Sequence, residues 1–192
     1  MTNITLLLAA FIAVAVPQGG TGNLLVNGTA GEGALGWRPQ GIATIEAFGG
    51  VPCFTVRNRG SFSQEVTLPA RAAGMHAVLI GRGQSERINA DGSITGLPYL
   101  YALVARGDRK RFLAYWQGQG MLARPEQPGD WVKMWGTFEV PKGAAYINVQ
   151  LNQAERRDSP QDGSAARFAD VQLHLFPTKA GAREFLERYL ES

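Results

Sequence analysis

The chain has 192 residues, 45% of them hydrophobic and 18% charged. That balance excludes a disordered or strongly charged protein and leaves room for one ordinary domain with its own core. Its formal net charge of +3 includes one short basic cluster, Arg106, Arg109, Lys110 and Arg111, which reads as a solvated hairpin tip around Gly107-Asp108, so nucleic acid is not an expected partner.

The chain opens on an apolar stretch, residues 4–16, too short to cross a bilayer about 30 Å thick as a helix. It suits the hydrophobic region of a secretory signal, with Ala13-Val14-Ala15 as a cleavage pattern, although no Lys or Arg precedes it. Residues 1–17 therefore read as a signal peptide and 18–22 as a linker, which predicts a secreted or periplasmic protein without a stable membrane span. A retained amphiphilic tail or membrane tether and an ordinary N-terminal strand are the other readings of this stretch.

From Asn23 onward hydrophobic residues alternate with period two, the mark of strands with one buried face. The pattern predicts strands over 23–26, 41–47, 53–57, 62–68, 75–82, 99–106, 110–117, 131–140, 145–152 and 167–176. Turn residues stand between them: Asn58-Arg59-Gly60, Gly107-Asp108, Pro128-Gly129-Asp130 and Pro141-Lys142-Gly143. The 24 glycines, against an ordinary share of about 7%, agree with many tight turns and lack the repeat of a triple helix. The expected fold is an all-β antiparallel sandwich over residues 23–177, with two polar stretches, 86–98 and 154–166, as longer loops.

Residues 178–192 differ. Ala182, Phe185, Leu186 and Tyr189 fall at i, i+3, i+4 and i+7, one apolar stripe of a helix, and Arg183 with Glu187 and Glu184 with Arg188 form i,i+4 pairs outside it. This amphipathic helix either packs on the sandwich or docks a protein partner, including a second copy of the chain.

Catalytic motifs are missing. His76 and His174 sit in predicted strands without a nucleophile motif nearby, and Cys53 lies in an apolar run as a small hydrophobe. Gly83-Gln84-Ser85-Glu86 lacks the closing glycine of a nucleophile elbow, and two histidines with one cysteine have no zinc spacing. Two of the 16 acidic residues meeting in a cleft would be needed for glycoside hydrolysis, and nothing singles out a pair, so a glycan-active enzyme is the less favoured reading.

What the strands do carry is aromatic and amide decoration. On 145–152, Tyr146, Asn148, Gln150 and Asn152 alternate with Ile147, Val149 and Leu151, giving one apolar face and one row of uncharged hydrogen-bonding groups. Trp131, Lys133 and Trp135 share one face of their strand, and Arg111, Tyr115 and Gln117 share another. Sugars stack their C–H faces on aromatic rings while amides bond their hydroxyls. Tyr146, Asn148 and Gln150 are therefore candidates for hydroxyl bonding, and Tyr115, Trp131 and Trp135 for stacking. The competing readings are tryptophans closing the core edge and a merely solvated amide row.

The motifs also resemble a family. Asn23-Leu24-Leu25-Val26-Asn27-Gly28, then Glu32, then Gly36-Trp37, is similar to the opening of galactose-binding-like jelly rolls, a group that includes carbohydrate-binding modules and the F-box-associated sugar-recognition domain. Ser63-Gln64-Glu65-Val66, the run from Trp131 through Phe138-Glu139-Val140-Pro141-Lys142-Gly143, and Ala166-Arg167-Phe168-Ala169-Asp170-Val171 resemble later segments in the same order. The resemblance implies a jelly-roll β-sandwich that binds carbohydrate or glycoprotein without catalysis. It also implies a structural calcium ion between Glu32 and Asp170, with Gly31 where relatives carry a neighbouring acid. The aromatic pair that F-box-associated domains carry in their last long loop has no counterpart in 154–166, and no F-box motif is present, so a ubiquitin-ligase role is not implied. A structural or protein–protein interaction domain using its C-terminal helix is the alternative function.

Overall fold

The computed structural model describes residues 20–88, 94–108, 112–116, 127, 129–154 and 163–192. The signal-peptide expectation, the basic residues 109–111, Gln117 and most of the 154–166 loop fall outside them. The strands are β1 (Arg38–Phe48), β2 (Val51–Thr67), β3 (His76–Ser85), β4 (Arg87–Ile88), β5 (Ile94–Thr95), β6 (Leu97–Ala105), β7 (Phe112–Trp116), β8 (Trp131–Glu139), β9 (Tyr146–Ala154) and β10 (Ala165–Phe176). A single helix, α1 (Lys179–Glu191), follows. β4 and β5 form a small separate pair inside the stretch expected to be loop.

The other strands make one antiparallel sheet in the order β7-β6-β9-β2-β10-β3-β8, with β1 also on β2. This sheet folds over on itself because β2 serves both halves. Residues 61–67 of β2 pair with β9, and residues 54–57 pair with β10. The first layer is thus β7-β6-β9 with the end of β2, and the second is the start of β2 with β10, β3 and β8.

The corner between them corrects one expectation. Asn58-Arg59-Gly60 is a bend within a single 17-residue strand, not a turn between two. β1 stays paired with β2 on both sides of the bend, its register shifting between Gln40 and Ile42, so the chain changes layer without reversing. Asn58 takes φ +53° and Gly41 φ +60°, and a Cβ at Gly60 would run into the Ile42 carbonyl, so only glycine lets the two strands cross this closely.

Alternation fills the space between the layers. Leu100, Ala102 and Val104 of β6 and Ile147, Val149 and Leu151 of β9 face Leu79 of β3, Met134 of β8 and Phe168, Leu173 and Leu175 of β10, all fully buried. Phe54 joins the halves, its ring 4.8 Å from Trp37 and 5.1 Å from Phe62. Each such aromatic side chain buries enough apolar surface to contribute about 2–3 kcal/mol.

Residues 23–26, expected as a strand, form an irregular segment instead. Once β2 has left β10 at the corner, the exposed edge of β10 is met partly by side chains. Leu175 N donates to Thr21 Oγ1 (2.9 Å) and Leu173 N to Asn23 Oδ1 (3.0 Å), while Thr21 N and Leu24 N donate to Leu175 and Leu173 carbonyls. Buried Gln64 clamps the same segment, accepting from Val26 N at 2.7 Å and donating to Val26 O at 2.9 Å.

The helix starts where Thr178 accepts a hydrogen bond from Gly181 N at 3.1 Å, an N-cap that satisfies one orphan donor. It lies on the outer side of the second layer. Ala182, Phe185 and Tyr189 are buried against Val78, Ile80 and Phe176, with Trp135 and Leu186 partly buried beside them. Tyr189 donates to the Gly81 carbonyl, and Lys133 Nζ donates to the Leu190 carbonyl at 3.0 Å. The stripe read from the sequence is used within the chain, and the Arg183–Glu187 and Arg188–Glu184 pairs face outward. No helix among the described residues is long and apolar enough to cross a membrane.

Candidate functional site

α1 covers part of the outer face of the second layer, and the outer face of the first layer carries the amide row. β9 places Tyr146, Asn148, Gln150 and Asn152 there, each half-buried, while Ile147, Val149 and Leu151 point to the core. Their spacing is about 7 Å, two residues of strand rise.

The neighbours of this row complete the surface. On one side β6 sets Tyr99 opposite Asn152, Tyr101 opposite Gln150 and Leu103 opposite Asn148. On the other, β2 sets Ser61 opposite Asn152, Ser63 opposite Gln150 and Glu65 opposite Asn148. Directly opposed residues share a face, so amides lie between tyrosines and serines. The Tyr99 and Tyr101 rings are 4.9 Å apart at 32°, a tilted platform. Asn152 Nδ2 donates to Tyr101 Oη at 2.7 Å and Gln150 Nε2 to Asn148 Oδ1 at 2.8 Å. These bonds fix the amide orientations, so the Gln150 and Asn152 carbonyl oxygens and the Asn148 amino group keep capacity for a ligand. Glu65 is the one carboxylate that β2, β6 and β9 contribute to this face among the described residues.

Tyr115 lies on β7 opposite Leu103, the register position next to this surface; its side chain is outside the described ones. Trp131 and Trp135 are elsewhere. They belong to β8, opposite Gln84 and Ile80 of β3, on the outer face of the second layer. The core therefore separates them from Tyr146, Asn148 and Gln150. Trp135 packs beside the residues under α1. Trp131 meets Phe48 edge to face at 6.3 Å, and the Arg82 guanidinium lies 5.3 Å from its ring centroid.

Where the helix does not cover it, this second face is a set of ion pairs. Arg57 binds Glu46 through two hydrogen bonds of 2.7 and 3.1 Å, which hold the Glu46 carboxyl down at about 2. Arg167, almost fully buried, donates to Gln84 Oε1 at 2.8 Å, reaches Glu86 at 3.4 Å and lies over the Phe48 ring at 4.6 Å. The charges of this second face are paired, whereas on the first face the described residues of β1, β2, β6 and β9 contribute two charged side chains, Arg38 opposite Ser63 and Glu65 opposite Asn148.

The two residues expected to hold calcium lie in different surroundings. Asp170 Oδ2 accepts from Arg82 Nε at 2.6 Å and Nη2 at 2.5 Å, and Glu32 is exposed in the 27–36 loop. Among the described residues no group of three or more His, Cys, Asp or Glu side chains could hold a metal.

Tyr99, Tyr101 and Asn152 are the site residues the sequence reading did not select. Tyr99 and Tyr101 alternate visibly with Leu100 and Ala102. What could not be read was that β6 lies beside β9, a pairing between strands more than 40 positions apart.

No family model matches this sequence, and no curated protein matches it. Solved structures are similar to it in fold. The enzymatically active domain of tailspike protein 4 from bacteriophage CBA120 superposes with a TM-score of 0.56 at 13% identity, over 80% of this chain and 21% of that one. The CBM22-1–CBM22-2 tandem domain of Xyn10C from Paenibacillus barcinonensis gives 0.54 at 17% identity, over 84% of this chain and 48% of that one. The chain thus spans about a fifth of the first and about half of the second. The fold is the jelly-roll sandwich of carbohydrate-binding modules, as the sequence resemblance implied.

Proposed function

We propose that the protein is a non-catalytic carbohydrate-binding domain, and that the outer face of the first layer takes the sugar. The observation that carries this reading is the register of β6, β9 and β2, which brings Tyr99 and Tyr101 beside Asn148, Gln150 and Asn152 on one face of the sheet. Tyrosine rings supply stacking area at low entropic cost, and amides already oriented by their own hydrogen bonds lose little freedom on binding a hydroxyl. Tyr146 and the strand position of Tyr115 extend the surface at one end.

The similarity to a tandem of carbohydrate-binding modules supports the ligand class, and the apolar N-terminal stretch agrees with a target outside the cell membrane. The reading is one of binding without cleavage: among the described residues β2, β6 and β9 place one carboxylate, Glu65, on the face, and glycoside hydrolysis uses two flanking the bond. Native affinity electrophoresis through gels containing neutral cell-wall polysaccharides tests the proposal. Wild type is retarded by at least one polysaccharide, and Tyr146→Ala is retarded less. Unretarded migration through every polysaccharide contradicts it.

A further inference from the structure

The 27–36 loop and the bulge in β10 meet at one place: Val171 N donates to the Gly28 carbonyl at 2.9 Å, and a Cβ at Gly28 would strike the Val171 carbonyl. Both sides carry left-handed residues that are not glycine, Asn27 at φ +50° and Ala30 at φ +58° in the loop, and Asp170 at φ +54° in the bulge. Such a junction needs something to hold it. Oxygen-rich turns of this kind could be gathered by a divalent cation, which would take six to eight oxygen ligands at about 2.3–2.6 Å.

Several of the oxygens here already accept hydrogen bonds. Asn27 Nδ2 donates to the Gly33 carbonyl at 2.9 Å and reaches the Leu35 carbonyl at 3.5 Å, while Asn27 Oδ1 accepts from Glu32 N at 3.0 Å. One amide thereby ties three points of the loop. Across the junction, the Asp170 carboxylate is bound by Arg82, which is itself steadied by the Trp131 ring. Neither an amide NH2 nor a guanidinium can ligate a metal, and a cation beside Asp170 would sit next to the like charge of Arg82.

We propose that Asn27 and Arg82 do the work of a structural cation, so that the junction of the N-terminal loop with β10 is built from internal donors and is independent of calcium. The inference does not depend on the carbohydrate reading and is tested without any glycan. The full chain, dialysed against EDTA, is melted by circular dichroism with EDTA or with excess CaCl2, and CaCl2 is titrated into it by calorimetry. The melts superimpose and the titration shows no binding heat. Asn27→Ala melts roughly 3–8 °C lower, and CaCl2 does not restore it. A wild-type melting point raised by CaCl2, saturable binding heat, or an Asn27→Ala protein that melts like wild type overturns the proposal. Should Asn27→Ala fail to fold, the wild-type melts and titration decide alone.

Discussion

Single residues set the acid response of this protein. His174 is buried between Phe185, whose ring is 4.6 Å away, and the N-terminal segment, where Nδ1 lies 3.1 Å from the Thr21 carbonyl; Nε2 is 3.0 Å from the Gln172 side chain. Burial lowers its pKa below 6.5, so the unfolded chain takes up a proton that the folded one resists. The stability it contributes is complete above pH 6.5 and is lost as pH falls below that value. Glu46 acts in the same direction lower down: held at about 2 by Arg57, its contribution is present above 4.5 and lost between 4.5 and about 2. Melting temperatures recorded from pH 8 to pH 3 are therefore expected to fall in two stages. In His174→Gln the stage just below pH 6.5 flattens, and in Glu46→Gln the lower stage flattens. An unchanged slope in both variants speaks against these assignments. Neither role was legible in the sequence, where His174 is only a histidine between leucines. Its burial comes from α1 and from a segment some 150 positions away.

At the scale of elements, α1 is a built part of the second layer. Phe185 is fully buried, its ring against His174 and Phe176 of β10, and removing that ring leaves a cavity between the helix and the sheet. Phe185→Ala is expected to cost about 3–5 kcal/mol in chemical denaturation, while Thr178→Ala, losing only the N-cap, costs about 1 kcal/mol. Equal effects of the two would mean that the helix is held by its cap and not by its stripe. The helix was readable because its apolar period is local and 3.6 residues long. Strand positions were readable for the same reason, at period two. The exceptions are instructive: Asn58-Arg59-Gly60 has turn chemistry but serves as a corner, because β1 bends alongside and holds the chain in register. Residues 23–26 alternate like a strand, yet Thr21 and Asn23 side chains replace backbone partners along β10.

The whole molecule has two outer faces of different character, and this difference is what the amino-acid pattern of any one strand cannot show. Alternation correctly puts Trp131 with Trp135 on one face of β8, and Asn148 with Gln150 on one face of β9. It cannot say that the core lies between those faces, since layer membership follows from pairings such as β3 with β8 and β6 with β9. The face with tryptophans is partly closed by α1 and carries matched ion pairs; the face with amides is flanked by tyrosines and carries Arg38 and Glu65 as the charged residues of its described β1, β2, β6 and β9 positions. The sugar surface we propose is therefore the one on β6, β9 and β2. Isothermal titration of a retained oligosaccharide into wild type, Tyr101→Ala and Trp131→Ala separates the faces most directly. Tyr101→Ala is expected to lose at least tenfold in affinity, about 1.4 kcal/mol, with its fold intact by circular dichroism, while Trp131→Ala binds like wild type. Loss of binding in Trp131→Ala with full affinity in Tyr101→Ala would place the sugar on the second layer and contradict the account.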